Sequence, residues 1–281
     1  MTPSPPFPER WNIVDPVLLA DTFSSRIWKV HLDGGSLAVI KDLKPIKDIE
    51  DELRGAHLLE WRRGHGAVRL LDRDGNRMLL EYAGERHLSD DLAAAGDRAA
   101  TEIVAEVMAW LHAPSSHPVP GDLQPLRLRF DSLFAKAAAN REAGRDSPYV
   151  EAAAIAERLL ANQRDVRPLH GDLHHENIMH GPRGWLAIDP KGVLGDTCFD
   201  AANLFYNPLD RTDLCLDPER IACMADTFAH TLGQDVPAIL DHAIAYGCLS
   251  AAWHADDGNS VDEERELSVA RAISSVRRLS A

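Results

Sequence analysis

Apolar positions follow two patterns along the chain. Up to about residue 84 they come in short runs of strand length, broken by Gly, Asp and Ser. Trp11 to Val17, Arg26 to Leu32 and Leu37 to Lys41 read as three strands. Leu18-Leu19-Ala20 leads from the first into the polar loop Asp21-Thr22-Phe23-Ser24-Ser25. Asp33-Gly34-Gly35 is a tight turn. Val68 to Leu71 and Arg77 to Tyr82 flank Asp72-Arg73-Asp74-Gly75-Asn76, a hairpin signal. Between the third strand and this hairpin, Asp48 to Trp61 carries Ile49, Leu53, Ala56 and Leu59 at helical spacing, and Gly64-His65-Gly66 ends it.

Beyond Ala83-Gly84 the period becomes helical. Ile103, Val104, Val107, Met108 and Leu111 mark one helix. A loop with four prolines, Pro114 to Pro125, follows. Arg127 to Ala143, Pro148 to Asn162, Asp200 to Tyr206, Asp217 to Leu232, Pro237 to His254 and Asp262 to Arg278 read as further helices. Asp217-Pro218 and Asp235-Val236-Pro237 have the form of helix starts. Asp256-Asp257-Gly258-Asn259-Ser260 reads as a polar loop. One hairpin interrupts the helices: Asn177 to His180 and Trp185 to Ile188, joined by Gly181-Pro182-Arg183-Gly184. The expected fold is α+β with two lobes. Residues 1–84 form a five-stranded antiparallel sheet with one main helix, and residues 85–281 form a larger, mostly helical lobe.

Composition narrows the partners. With 281 residues and 45% apolar content, the chain can bury a substantial core. No apolar run approaches a membrane span. The first residues, Met1-Thr2-Pro3-Ser4-Pro5-Pro6, lack the charged and apolar regions of a signal peptide. Cys198, Cys215, Cys223 and Cys248 form no CxxC pair, so a reducing cytoplasm is expected. The formal net charge of −14 repels nucleic acid and anionic lipid and attracts cations. Neither nucleic acid nor membrane is expected as a partner.

The candidate chemistry centres on Leu169 to Met179 and Trp185 to Pro190. The hairpin brings its two ends together and so sets Asn177 beside Asp189, while Asp172 lies on the loop leading in. Three oxygen donors on one point suit phosphoryl transfer, one carboxylate facing the attacking hydroxyl and the others facing magnesium. Zinc on His170, His174, His175 and His180 is the competing interpretation. Adjacent His174 and His175 point opposite ways on an extended chain, and His170 is better placed to bond backbone. Upstream, Lys41 ends the third strand. A nucleotide site would set it against phosphate, together with the amides and hydroxyls of the Ser24-Ser25 loop. Glu52 lies on the buried stripe of its helix and needs a partner there. Lys41 is the natural one, with Glu60 as the rival carboxylate. The backbone from Glu81 through Tyr82 to Ala83 is placed to meet an adenine edge.

Taken together, these residues resemble the aminoglycoside phosphotransferases, which have the protein-kinase-like fold. The carriers are Ala38-Val39-Ile40-Lys41, the helical Glu52, Leu79-Leu80-Glu81-Tyr82, His170-Gly171-Asp172 with Asn177, and Ile188-Asp189. Ala20 to Ser25, Asp51 to Ala56, Gly64 to Leu71, Leu169 to Met179, Cys215 to Pro218 and Tyr246 to Trp253 look like the streptomycin 6-kinase and hydroxyurea phosphotransferase branch. The resemblance implies that Asp172 orients or deprotonates the acceptor hydroxyl and that Asn177 and Asp189 hold Mg2+. It also implies that Lys41, fixed by Glu52, contacts ATP phosphates under Ser24 and Ser25. His170 and Asp200 would support the catalytic loop, Asp200 doubling as a helix N-cap. The sequence departs from protein kinases in having no Gly-rich phosphate loop and IDP in place of DFG, which puts a mobile DFG-type switch in doubt.

The implied acceptor is streptomycin, phosphorylated at its 6-hydroxyl. Its guanidinium groups and amine suit carboxylates and aromatic faces. Asp210, Asp213, Glu219, Trp253, Asp256 and Asp257 are the candidates to bind it. A monomer acting on this small cation is expected. Other acceptors are hydroxyurea or a different aminoglycoside. A non-catalytic pseudokinase is a further alternative, opposed by the joint presence of Lys41, Asp172, Asn177 and Asp189.

Overall fold

The computed structural model describes residues 6–45 and 49–280. Met1 to Pro5 and Asp48, the residue expected to open the first helix, lie outside the described residues. Five strands, β1 (Val14–Asp21), β2 (Ser25–His31), β3 (Leu37–Leu43), β4 (Leu70–Asp74) and β5 (Arg77–Glu81), form an antiparallel sheet in the order β1-β2-β3-β5-β4. Helix α1 (Ile49–Arg62) lies between β3 and β4 in sequence.

The alternating pleat of β3 explains both faces of this sheet. Ala38 and Ile40 point to a small core with Trp11, Trp28, Val30 and Leu79. Val39, Lys41 and Leu43 point the other way, where Ala56 and Leu59 of α1 join Met78 and Leu80 in the main core. Each fully buried side chain of this kind contributes roughly 1.5–3 kcal/mol.

Two boundaries at the start of the sheet differ from expectation. Trp11 belongs to a 3-10 turn, Glu9–Trp11, and its indole donates to Asp72 Oδ2 at 2.6 Å. The first strand instead runs on through Leu18, which pairs with Trp28, and Asp21, which pairs with Arg26. Pairing with β2 wins over the local polarity of Asp21 and shortens the expected loop to Thr22–Ser24.

After the sheet come β6 (Arg86–His87), α2 (Leu88–Ala95), α3 (Asp97–Leu111), β7 (Gln124–Pro125), α4 (Leu126–Arg129), α5 (Asp131–Glu142) and α6 (Pro148–Ala161). Then follow β8 (Val166–Leu169), β9 (Ile178–Gly181), β10 (Gly184–Ala187), β11 (Val193–Asp196) and α7 (Cys198–Ala202). The chain closes with α8 (Thr212–Cys215), α9 (Pro218–Leu232), α10 (Val236–Asp256) and α11 (Ser260–Leu279). Two small sheets, β10-β9-β6 and β7-β11-β8, sit among these helices. The expected α+β architecture is present. Strands β9 and β10 are the expected hairpin, whereas β6, β7, β8 and β11, of two to four residues, escaped the sequence because runs that short carry no period.

Other differences have local causes. The helix expected over Arg127 to Ala143 breaks at Phe130, which is fully buried edge-on to Phe199 at 5.7 Å. The helix expected from Asp200 begins at Cys198 and tightens into a 3-10 turn at Asn203–Tyr206. Asp217 and Asp235 do cap their helices, accepting from Glu219 N and Ala238 N. Helix α10 runs through Asp256, which shortens the expected polar loop. It is buried on nearly every side from Ile239 to Ala252, as a central helix should be.

Candidate active site

The hairpin places the first group of side chains. Strands β9 and β10 pair in the register Ala187↔Ile178 to Gly184↔Gly181, so Pro182 and Arg183 alone make the turn. At the open end Ile188 N donates to Asn177 O at 2.9 Å, which sets Asn177 next to the Asp189 segment. The hairpin is anchored to the segment between α1 and β4: Ala187 N donates to Gly66 O and Val68 N to Ala187 O, at 2.9 and 3.0 Å. Asp189 has φ 59°, a left-handed backbone that Asp tolerates better than most residues.

The loop before the hairpin is tied from within. Asp200 is buried, and its carboxylate accepts from His170 N at 2.9 Å and Gly171 N at 2.7 Å. His112 Nε2 lies 2.9 Å from the same carboxylate. Burial by itself would raise the Asp200 carboxyl, but His112 and the backbone donors outweigh it and hold it below its usual range. Asp200 thus ties the loop backbone from inside α7 and does not cap that helix, whose N-cap is Thr197. Gly171 has φ +81°, and a Cβ there would sit 2.6 Å from Val193 Cγ2, so glycine is required at the bend.

His170 bonds backbone with both ring nitrogens. Nε2 faces Ile188 O at 2.8 Å, and Nδ1 accepts from Asp172 N at 3.2 Å. A carbonyl partner requires a proton on Nε2, so the ring is neutral, and burial pushes its pKa down. No lone pair remains for zinc. Among the described residues no group of three or more His, Cys, Asp or Glu is placed to hold a metal ion.

Asp172 is aimed by amides. Its Oδ1 accepts from Asn203 Nδ2 at 3.1 Å, and its Oδ2 lies 3.5 Å from Asn177 Nδ2. Asn177 Nδ2 also donates to Asp172 O at 2.9 Å. This leaves the Asn177 oxygen available to a ligand in the cleft that Asn177 lines. The Asp172 side chain stays 31% exposed, enough to meet a substrate.

Across the cleft, Lys41 Nζ bonds both Glu52 Oε2 and Asp189 Oδ1. Glu52 thus has the strand lysine as partner, whereas Glu60 is exposed. The close approach of α1 depends on Gly55, since a Cβ there would lie 1.8 Å from Pro190 O. A lysine that sequence reasoning missed completes the group. Lys191 Nζ lies 2.9 Å from Glu52 Oε1 and 3.2 Å from Asp189 Oδ2. Burial alone would raise the Asp189 carboxyl, but Lys41 and Lys191 hold it well below the usual carboxylate range. Lys191 could have been suspected as the cation nearest in sequence to Asp189, two residues beyond it. His112 and Asn203 carried no such signal.

A cavity of about 550 Å³ collects most of the predicted nucleotide residues: Ser24, Ser25, Lys41, Glu52, Glu81, Tyr82, Ala83, Asn177 and Asp189 all line it. Glu81 N is engaged with Arg69 O at 2.9 Å, and the Glu81 carboxylate is bound by Arg183 at 2.6 Å. Asp189 and the Asn177 oxygen are hard donors of the kind that could hold magnesium, which keeps most of its shell for water and phosphate, although both Asp189 oxygens here face lysines.

A cleft with a lysine–glutamate pair, a held aspartate and two oxygen ligands is a kinase arrangement. The profile of the aminoglycoside/hydroxyurea antibiotic resistance kinases matches residues 10–258. The chain belongs to this family. Among relatives of this family member, a streptomycin 3''-kinase of Klebsiella pneumoniae is 40% identical over 89% of this chain and 91% of its own. A streptomycin 6-kinase of Streptomyces glaucescens is 31% identical over 94% of this chain and 86% of its own. The fold is that of the protein-kinase-like aminoglycoside phosphotransferases. A thermostable mutant of aminoglycoside phosphotransferase APH(4)-Ia, in ternary complex with AMP-PNP and hygromycin B, superposes with a TM-score of 0.61 at 15% identity. The match covers 95% of this chain and 94% of that one.

The residues proposed for the acceptor are not gathered in the same way. Asp210, Asp213, Glu219, Asp256 and Asp257 are exposed and outside the cavity, and Asp213 pairs with Arg211 at 2.8 Å. Trp253 is half-buried. Arg129 stacks over its ring at 4.9 Å and bonds Asp51 at 2.7 Å.

Proposed function

We propose that the protein transfers the γ-phosphate of ATP to a hydroxyl of streptomycin. The observation that carries this reading is the Asp172 carboxylate, held by two amides, one of them from Asn177, which lines the same cleft as Lys41, Glu52 and Asp189. Its support from relatives is the 40% identity to a streptomycin 3''-kinase. The N-terminal unit, residues 1–84, binds the nucleotide, and residues 85–281 carry the catalytic loop and the acceptor.

In this scheme Lys41 contacts the phosphates and Glu52 fixes its direction. Ser24 and Ser25 lie over the phosphates, and the segment from Glu81 to Ala83 borders the base. Asn177 and Asp189 would hold magnesium, which would neutralise charge on the phosphates. Asp172 orients the acceptor hydroxyl and takes its proton. His170 and Asp200 keep the loop in place for that contact. Positioning and charge neutralisation dominate, because phosphoryl transfer asks little covalent chemistry of the protein. The enzyme acts in the cytoplasm as a monomer. Among the described residues no helix is long and apolar enough to cross a membrane.

The 6-hydroxyl is the acceptor position expected from the sequence, with the 31% identical 6-kinase in support. The 3''-hydroxyl is the second reading, favoured by the 40% identical relative. Incubation of streptomycin with the protein and Mg-ATP, followed by mass spectrometry, tests the activity, and NMR of the product places the phosphate. An unmodified drug would reject streptomycin as acceptor, and a panel with hydroxyurea and other aminoglycosides would then name the substrate.

A further inference from the structure

Lys191 closes a ring of charge. Its Nζ takes Glu52 Oε1 at 2.9 Å and Asp189 Oδ2 at 3.2 Å. Lys41 takes the other oxygen of each carboxylate, Glu52 Oε2 and Asp189 Oδ1. Two ammonium groups and two carboxylates therefore sum to zero, and all four carboxylate oxygens have a cationic partner. Three of its members are shielded, the Lys191 side chain being 15% exposed and Lys41 and Glu52 6%, whereas Asp189, which lines the cavity, is 34% exposed.

The backbone holds Lys191 there. Its N–H donates to His170 O at 2.7 Å. Gly192, next in the chain, has φ +67°, and a Cβ on it would fall 2.8 Å from the Arg54 backbone. The segment is thus pressed against α1, and the lysine has little freedom except along its own side chain. Asp189 in this state offers a divalent cation no oxygen free of an ammonium group. A metal ion on Asp189 would stand against two ammonium groups already at its carboxylate, a repulsion relieved when one of the two lysines moves away. Lys41 is the more deeply enclosed, and Lys191 makes the longer contact to Asp189.

We infer that Lys191 is a resident counter-cation that holds the metal-facing side of Asp189 until a metal ion arrives together with nucleotide. A bare metal ion must push an ammonium group off Asp189 and leave it with Glu52 as its one carboxylate partner. A metal–nucleotide complex brings phosphates that give the displaced ammonium group new partners. The ring therefore keeps Asp189 charged and aimed while refusing metal alone. This inference rests on the kinase assignment proposed above.

The test is Mn2+ affinity in the nucleotide-free protein, measured from the paramagnetic resonance signal of the free ion. The parent should bind Mn2+ weakly. Lys191→Met, similar in length and uncharged, should bind it at least about tenfold more tightly, because one carboxylate then lacks its counter-charge. Lys191→Arg keeps the charge and should stay close to the parent. Lys191→Gln provides the same comparison if the Met variant does not fold. Tight Mn2+ binding by the parent, or equal affinity in the parent and a folded uncharged variant, overturns the inference. Calorimetry of the parent with Mg-AMP-PNP separates the two levels. No binding at all removes the kinase assignment itself. Normal binding, alongside uncharged variants that gain no metal affinity, removes only the role given to Lys191.

Discussion

Asp172 and Asp189 are both carboxylates of one segment, yet their surroundings assign them different work. Asp172 is partly open and held by the neutral amides of Asn177 and Asn203, so it remains free to meet an incoming hydroxyl. Asp189 is clamped between two lysines and kept ionised. Asp172→Asn is expected to keep nucleotide binding and lose about 10²-fold or more in turnover, the scale of a positioned acid–base group. Steady-state kinetics beside AMP-PNP titration would show it, and near-normal turnover would remove Asp172 from its role. Asp189→Ala should abolish the magnesium dependence of nucleotide binding, read by calorimetry with and without the metal. The loop residues were legible because their spacing lies within one stretch of chain. Asn203, His112 and the pairing of Lys191 with Glu52 were not, because each joins the site from a distant element that has no fixed offset in sequence.

At the scale of elements, the contact between α1 and the Asp189-Pro190 segment decides whether Glu52 reaches both lysines. Gly55 makes it possible. On helix propensity alone Gly55→Ala should stabilise by about 1 kcal/mol. Here the sign reverses, since the new methyl group would lie 1.8 Å from Pro190 O and backbone must move. Gly55→Ala is expected to lower Tm by several degrees, on the order of 1–3 kcal/mol of overpacking, and to weaken nucleotide binding with it. Thermal unfolding with and without AMP-PNP checks both effects, and a raised Tm would show that the contact is loose. The hairpin at Asn177 to Ile188 was readable from its turn residues and apolar arms. The anchoring of its outer strand to Gly66 and Val68 was not, because backbone pairing between remote segments leaves no mark on side-chain pattern.

At the scale of the molecule, the helical core carries a titrating group of its own. Glu266 on α11 is buried, and burial pushes its carboxyl up to about 7, although Arg265 lies 2.6 Å away and works in the other direction. The folded state then holds this proton more tightly than the unfolded chain, where an ordinary glutamate titrates near 4.5. The stabilisation from the protonated form is complete below the unfolded value and is lost as pH rises through about 7. Between about pH 5 and pH 8 the parent should lose stability on this account. Glu266→Gln should flatten that slope, as denaturant unfolding across the range would show. An unchanged slope would mean that Arg265 keeps Glu266 ionised throughout.

The sequence by itself determined the α+β architecture, the five-stranded sheet with its helix, the hairpin and most of the long helices, and the residue types around Asp172, Asn177 and Asp189. These depend on local period, turn chemistry and spacing within one segment, all of which are written along the chain. Only the tertiary structure decided which side chains complete the site. The two-lysine ring, the amides that aim Asp172 and the anchoring of the loop by Asp200 bring together residues as far apart as Lys41 and Asp189. Such contacts follow from how packed elements approach one another, and that approach is a property of the whole core.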